Sequence, residues 1–131
     1  MIVLDTSAIL ALEDHNDVHH VRAIAAIDVN QPLVLPAGIL AEVDYMVTSR
    51  IDPSAMVPVL ESLEKGSLEL DCGDIDVTRV RELVVRYADL PLGFADAAVV
   101  ACAERLDADV LTFDRRDFDV VADEGTFRLV P

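Results

Sequence analysis

The sequence predicts an α/β fold in which a mainly parallel sheet of about five short strands is flanked by helices. Three observations carry this. Short uncharged apolar runs, among them Ile2-Val3-Leu4 and Leu33-Val34-Leu35, alternate with stretches of helical period. The chain has 131 residues, 53% of them hydrophobic, and a chain of that size buries roughly 65–70% of its unfolded surface. No repeat, low-complexity tract or Gly/Ser linker divides it, so residues 1–131 read as one domain.

Ile2-Val3-Leu4 reads as a buried first strand, and Asp5-Thr6-Ser7 opens a helix with Asp5 or Thr6 as N-cap. A second helix is expected from about Val18 to Ile27, with Val18, Val21, Ile24 and Ala25 at helical spacing. Leu33-Val34-Leu35 is the second strand, and Pro36 suits the first turn of a helix over about Ala37–Ser49. Ile39, Val43, Met46 and Val47 form that helix's stripe. Asp52-Pro53 starts a helix that Gly66 ends, and Pro58 should bend or delay it. Leu68-Glu69-Leu70 is a third strand. Asp74 can cap a helix carrying Ile75, Val77, Val80, Leu83, Val84 and Tyr87. Pro91-Leu92-Gly93 breaks the chain before an apolar helix, Phe94–Leu106. Val110-Leu111-Thr112 is the fourth strand, Asp114–Phe118 a turn, and Phe127–Val130 a terminal strand.

Ten basic residues against 25 acidic ones give a net charge of −15. Such a field repels nucleic acid and anionic membranes unless cations, local arginines or a basic partner intervene. The Asp-rich bias also suits a high-salt cytoplasm, where screening is strong. Two cysteines without metal-ligand spacing read as reduced thiols. The start MIVLDTS lacks a basic n-region and a long apolar stretch, so a soluble cytoplasmic protein is expected.

Four acids are not explained by solvated faces. Asp5 follows a three-residue apolar strand, at the sheet edge where open α/β folds bind ligands. Glu42 sits at the margin of an apolar stripe. Asp96 is the only charge between Asp89 and Glu104, in the first turn of a helix apolar all round. Asp114 closely follows the fourth strand, with Asp117 one turn on. Taken singly, each has a plain alternative as a cap, a boundary residue or an Asx-turn. Taken together, a doubly wound sheet brings them to one edge. There several like charges cannot share a small volume ionised without a cation. Oxygen-only ligands select Mg²⁺ or Mn²⁺.

At these residues the chain resembles the PIN-domain nucleases, and within them the VapC-type toxins of toxin–antitoxin pairs. The resemblance runs through IVLDTSAILAL, AEVDYMV, LPLGFADAAVVACAERL and VLTFDRRDF. It implies a Rossmann-like three-layer sandwich and a Mg²⁺- or Mn²⁺-dependent endoribonuclease leaving a 3′-hydroxyl and a 5′-phosphate. It carries an acidic quartet onto Asp5, Glu42, Asp96 and Asp114, with either Asp114 or Asp117 as the nearer metal ligand. It also places Thr6 or Ser7, and Thr112, as small hydroxyls near the site. A specific RNA, a small antitoxin protein and a homodimer are the implied partners, with no membrane.

Other constellations weigh less. Arg115 and Arg116, beside Asp114, could hold an RNA backbone or balance neighbouring acids. His15, His19 and His20 lack a completing cysteine and read as a solvated turn and helix start. Arg79, Arg81 and Arg86 read as a helix cluster bridging to Glu82 and nearby acids. Five dispersed glycines exclude nucleotide-binding loops. A phosphoacceptor signalling domain would also cluster acids at strand ends, but it expects a lysine after the last strand. The single lysine, Lys65, is mid-chain. A PIN-like module acting only by protein contacts is the remaining alternative.

Overall fold

Val3 lies between Val34 on one side and Val110 on the other, all three strands running parallel. The computed structural model describes residues 1–131. Its sheet contains β1 (Ile2–Leu4), β2 (Leu33–Pro36), β3 (Glu69–Asp71), β4 (Asp109–Leu111) and β5 (Leu129–Val130), in the order β3-β2-β1-β4-β5. All four pairings are parallel. The chain moves outward from β1 to β3, then returns to pair β4 on the free side of β1. The order therefore reverses between β1 and β4. At such a switch point the crevice outside the carboxyl ends of the strands is the natural binding place.

The helices are α1 (Thr6–Glu13), α2 (His20–Ala26), α3 (Leu40–Arg50), α4 (Met56–Lys65), α5 (Val77–Arg86), α6 (Phe94–Leu106) and α7 (Arg115–Ala122). α1 packs with α2 and α3, and α3 with α4; α5 packs on α6, which lies against β1, β2 and β4. The apolar helix expected at 94–106 is enclosed, with Ala97, Val99, Val100, Ala101, Cys102 and Ala103 all buried. Ile39, in the 3₁₀ turn Ala37–Ile39 before α3, and Val43 and Val47 within it are buried as the stripe requires. Pro58 lies in the first turn of α4, which starts at Met56 and not at Pro53; Gly66 ends it in the left-handed conformation at φ 80°.

Three expectations change. Val18, Val21 and Ile24 face solvent at 89%, 79% and 53% exposure, while Ala23 is fully buried. The small alanine lets α2 lie close to α1, and the β-branched residues fall on the far side. Ile75 and Val77 are likewise exposed, because a 3₁₀ turn over Asp74–Asp76 precedes α5 and resets the face. The turn expected at Asp114–Phe118 is the first half of α7. Its only deeply buried residues, Phe118 and Val121, come late in the helix, so the charged start hides its amphipathic face.

Gly38 sets how closely α6 approaches the segment after β2. A Cβ there would stand 3.1 Å from Ala98 Cβ and 3.4 Å from the Phe94 ring. That approach brings the first turn of α6, with Asp96, towards α3, with Glu42.

Candidate metal centre

Asp5 leaves β1 in extended conformation and caps α1, its Oδ1 accepting the Ala8 amide at 2.9 Å. The cap reading and the site reading thus hold for the same side chain. Ser7 Oγ donates to Asp5 Oδ1 at 2.7 Å and accepts the Phe113 amide at 2.9 Å. Thr112 Oγ1 donates to Asp5 Oδ2 and accepts the Asp114 amide at 3.1 Å. The Ser7 and Thr112 hydroxyls are therefore engaged in orienting Asp5 and in fastening the end of β4 to the start of α1.

An open pocket of about 360 Å³ lies at this edge, and Asp5, Glu42, Asp96 and Asp114 all line it. Each reaches it from a different element: the end of β1, α3, the first turn of α6, and the loop after β4. Thr6 and Ser7 also line it. Asp5 is buried and Asp96 half-buried, whereas Glu42 and Asp114 are exposed at the mouth.

Burial pushes the Asp5 carboxyl up to about 6 in spite of its three hydrogen bonds, and the charge of Asp114 adds to the effect. Asp96 is also pushed up to about 6, first by burial and then by Asp5, Asp114, Glu42 and Asp117. Its largest causes all push the same way, and no ion pair or hydrogen bond holds the Asp96 carboxylate. A carboxylate held among like charges without a basic partner is what a bound cation relieves.

The donors are all hard oxygens, which fits a small divalent cation. No three His, Cys, Asp and Glu side chains stand close enough to enclose an ion by themselves. A cation here would keep water in its shell, as Mg²⁺ commonly does. Asp5, Asp96, Glu42 and Asp114, which all line the pocket, are the side chains that could hold it, with water completing its shell.

The remaining expected residues lie differently. Asp117 does not line the pocket; it is paired with Arg116 at 3.2 Å, and its charge is felt at Asp96. Arg115 bridges Asp119 at 3.1 Å, donates to the Pro131 carbonyl at 3.0 Å and lines a separate surface groove. The arginine pair thus meets Asp119 and Asp117 on its own helix and the carbonyl at the chain end, the acid-balancing arrangement of the two that its sequence position allows. Arg79 bridges Glu82, Glu104 and Glu124, and Arg86 bridges Glu124, so that cluster joins α5 to α6 and to the end of α7.

Sequence reasoning missed Met46, Arg50 and Phe113, all of which line the pocket. The signal for the first two was present: Glu42, Met46 and Arg50 are spaced by four and so share one helix face. The three histidines form no ligand set. His20 Nδ1 meets the Ala11 carbonyl at 2.7 Å, and His19 stacks on Phe113 with ring centroids 4.6 Å apart.

A PIN-domain family model matches residues 2–124. The chain is 35% identical to Ribonuclease VapC26 of Mycobacterium tuberculosis, over 99% of its own length and the whole of that protein. Its fold is similar to the crystal structure of VapC20 of the same organism, described as a sarcin–ricin loop cleaving toxin. The TM-score is 0.78 at 20% identity, covering 92% of this chain and 95% of that one. It is also similar to a chain of VapBC2 from Rickettsia felis bound to a promoter DNA fragment. There the TM-score is 0.72 at 16% identity, covering 98% and 97%.

Proposed function

We propose, from the premise that this chain belongs to the PIN-domain family, that it is the endoribonuclease toxin of a toxin–antitoxin pair. The observation that carries this is the convergence of Asp5, Glu42, Asp96 and Asp114 on one pocket at the sheet's switch point. The kinship with a whole-length VapC ribonuclease supports RNA as the substrate. The likeness to VapBC assemblies supports a small antitoxin as partner.

Asp5 and Asp96 would hold a divalent cation, Mg²⁺ or Mn²⁺, with Glu42 and Asp114 orienting the water around it. When bound, the cation supplies positive charge against the scissile phosphate and acidifies water beside it. Thr112, Ser7 and the Ala8 amide fix Asp5 before substrate arrives, so no reorganisation is needed at the moment of reaction. The exposed carboxylates at the mouth orient the attacking water and take its proton as the new P–O bond forms. The P–O3′ bond breaks as the leaving oxygen takes a proton from a neighbouring water, leaving a 3′-hydroxyl and a 5′-phosphate. No histidine or lysine is required as a base, and neither lines the pocket. Function in the cytoplasm and a homodimer that widens the RNA groove complete the reading.

The test is cleavage of total cellular RNA by the purified chain with Mg²⁺, Mn²⁺ or EDTA, beside Asp96→Asn. Metal-dependent cutting that the folded variant loses is the expected result. If neither protein cuts RNA and the parent binds no Mn²⁺, the reading falls and a protein-binding module takes its place.

A further inference from the structure

A body of charge −15 has to receive a polyanion, and its cations are mostly spent on its own acids. Arg79, Arg86, Arg105, Arg115, Arg116 and Arg128 are each held in ion pairs. Four of the ten basic residues have no such partner: Arg22, Arg50, Lys65 and Arg81. One of these four, Arg50, lines the acidic pocket, and a second, Arg22, lies over a ring that lines it.

Arg50 lines the pocket from the end of α3, on the face that carries Glu42 and Met46. A last-turn arginine also complements the helix dipole, but that effect does not require it to line a cavity already formed by carboxylates. Arg22 is reached from the opposite side. Its guanidinium lies 5.6 Å from the centroid of the Phe113 ring, and that ring lines the pocket directly before Asp114. His19, three residues earlier, lies nearly parallel to the same ring, at 10°. Phe113 therefore acts as an anvil against which His19, at the start of α2, and Arg22, within it, are ordered beside the site. In the sheet order, α3 follows β2 and Phe113 follows β4, on opposite flanks of β1 and Asp5.

We propose that Arg22 and Arg50 are the two phosphate-binding residues that flank the carboxylates, marking the ends of the track along which the RNA strand crosses the site. This inference rests on the nuclease reading above. Uncommitted guanidinium groups are suited to phosphate oxygens by shape and by their weak hydration. Placed on both sides of the carboxylates, they attract the phosphates next to the scissile one. An acidic body then needs no basic surface, only two arginines left unpaired where the strand passes. Both are positioning residues.

The test uses the full chain carrying Asp96→Asn, so that bound RNA survives, and a short labelled single-stranded RNA. Affinity is measured by fluorescence anisotropy in Mg²⁺ across a range of salt. Arg22→Gln and Arg50→Gln should each weaken binding roughly five- to tenfold, and each should reduce the salt slope by about 0.7. Arg22→Lys and Arg50→Lys should restore the slope, and Arg81→Gln should leave both quantities unchanged. The proposal is overturned if both glutamine variants bind with the affinity and slope of the Asp96→Asn chain. It is overturned equally if they weaken binding with the slope unchanged, since a phosphate contact must release counterions. If the Asp96→Asn chain binds no RNA and the parent cuts none, the nuclease reading falls and this inference with it.

Discussion

The Thr112 hydroxyl donates to the Asp5 carboxylate across 107 positions of sequence, joining the carboxyl ends of β4 and β1. The bond is buried, and its acceptor is the charged group on which the site is centred. Thr112→Val keeps the shape and removes the donor. A lost bond to a charged acceptor should cost on the order of 1.5–3 kcal/mol near neutral pH. At about pH 4, where Asp5 carries its proton, the cost should fall to on the order of 1 kcal/mol. Urea unfolding at the two pH values checks this, and an equal loss at both would show that the bond serves packing alone.

Asp96 makes the protein's stability depend on pH and on metal. In the unfolded chain its carboxyl releases its proton near the ordinary value of 3.8, whereas in the fold it holds it to about 6. Between those values the folded state binds more protons, so stability is lost as pH rises, and the loss is complete above about 6. With allowance for partial solvent screening, the cost is on the order of 1–2 kcal/mol. Asp96→Asn should therefore match the parent near pH 4 and exceed its stability by about that amount at neutral pH in EDTA. Mg²⁺ should then stabilise the parent and not the variant. Equal stabilisation of both by Mg²⁺ would remove Asp96 from the cation site.

The strands and the four acids were legible because they obey short-range rules: three apolar residues then a carboxylate, or one charge in an apolar helix. What escaped the sequence was the pairing of long side chains. Arg115 and Arg116 stand beside Asp114 in sequence, yet the turn of α7 gives them to Asp119 and Asp117. Arg50 shares a helix face with Glu42 by its spacing in sequence, but only the placement of α3 brings that face to the pocket. α2 was misread for a different reason. The large apolar residues were assigned to its inner face, but close packing on α1 selects Ala23. Size, and not hydrophobicity alone, decided which face went inward.

The two thiols should differ sharply in reactivity. Cys72 is exposed and Cys102 buried, and burial together with the charge of Asp71 pushes the Cys102 thiol up to about 12. Since the thiolate is the nucleophile, alkylation of the native chain with iodoacetamide at mildly alkaline pH should add a single label, at Cys72. A second label should enter only in urea. Peptide mass spectrometry reads the sites, and rapid labelling of Cys102 in the folded chain would contradict the enclosure of α6.

Arg105 closes the opposite end of α6 from Asp96. It grips Asp76 with two bonds, Nε to Oδ1 at 2.7 Å and Nη2 to Oδ2 at 3.0 Å, and reaches Asp71 at the end of β3. Asp76 is only 7% exposed. Arg105→Met should leave that carboxylate buried and unpaired, at a cost on the order of 2–3 kcal/mol. The double variant Asp76→Asn with Arg105→Met should recover part of the loss, because the stranded charge is gone. This pair lies nine residues along α6 from Asp96, about 13 Å of helix. The urea midpoint should therefore shift while Mn²⁺ affinity of the folded chain stays unchanged. A fall in Mn²⁺ affinity that tracks the stability loss would show that the clamp holds α6 in register for the metal centre as well as for the fold.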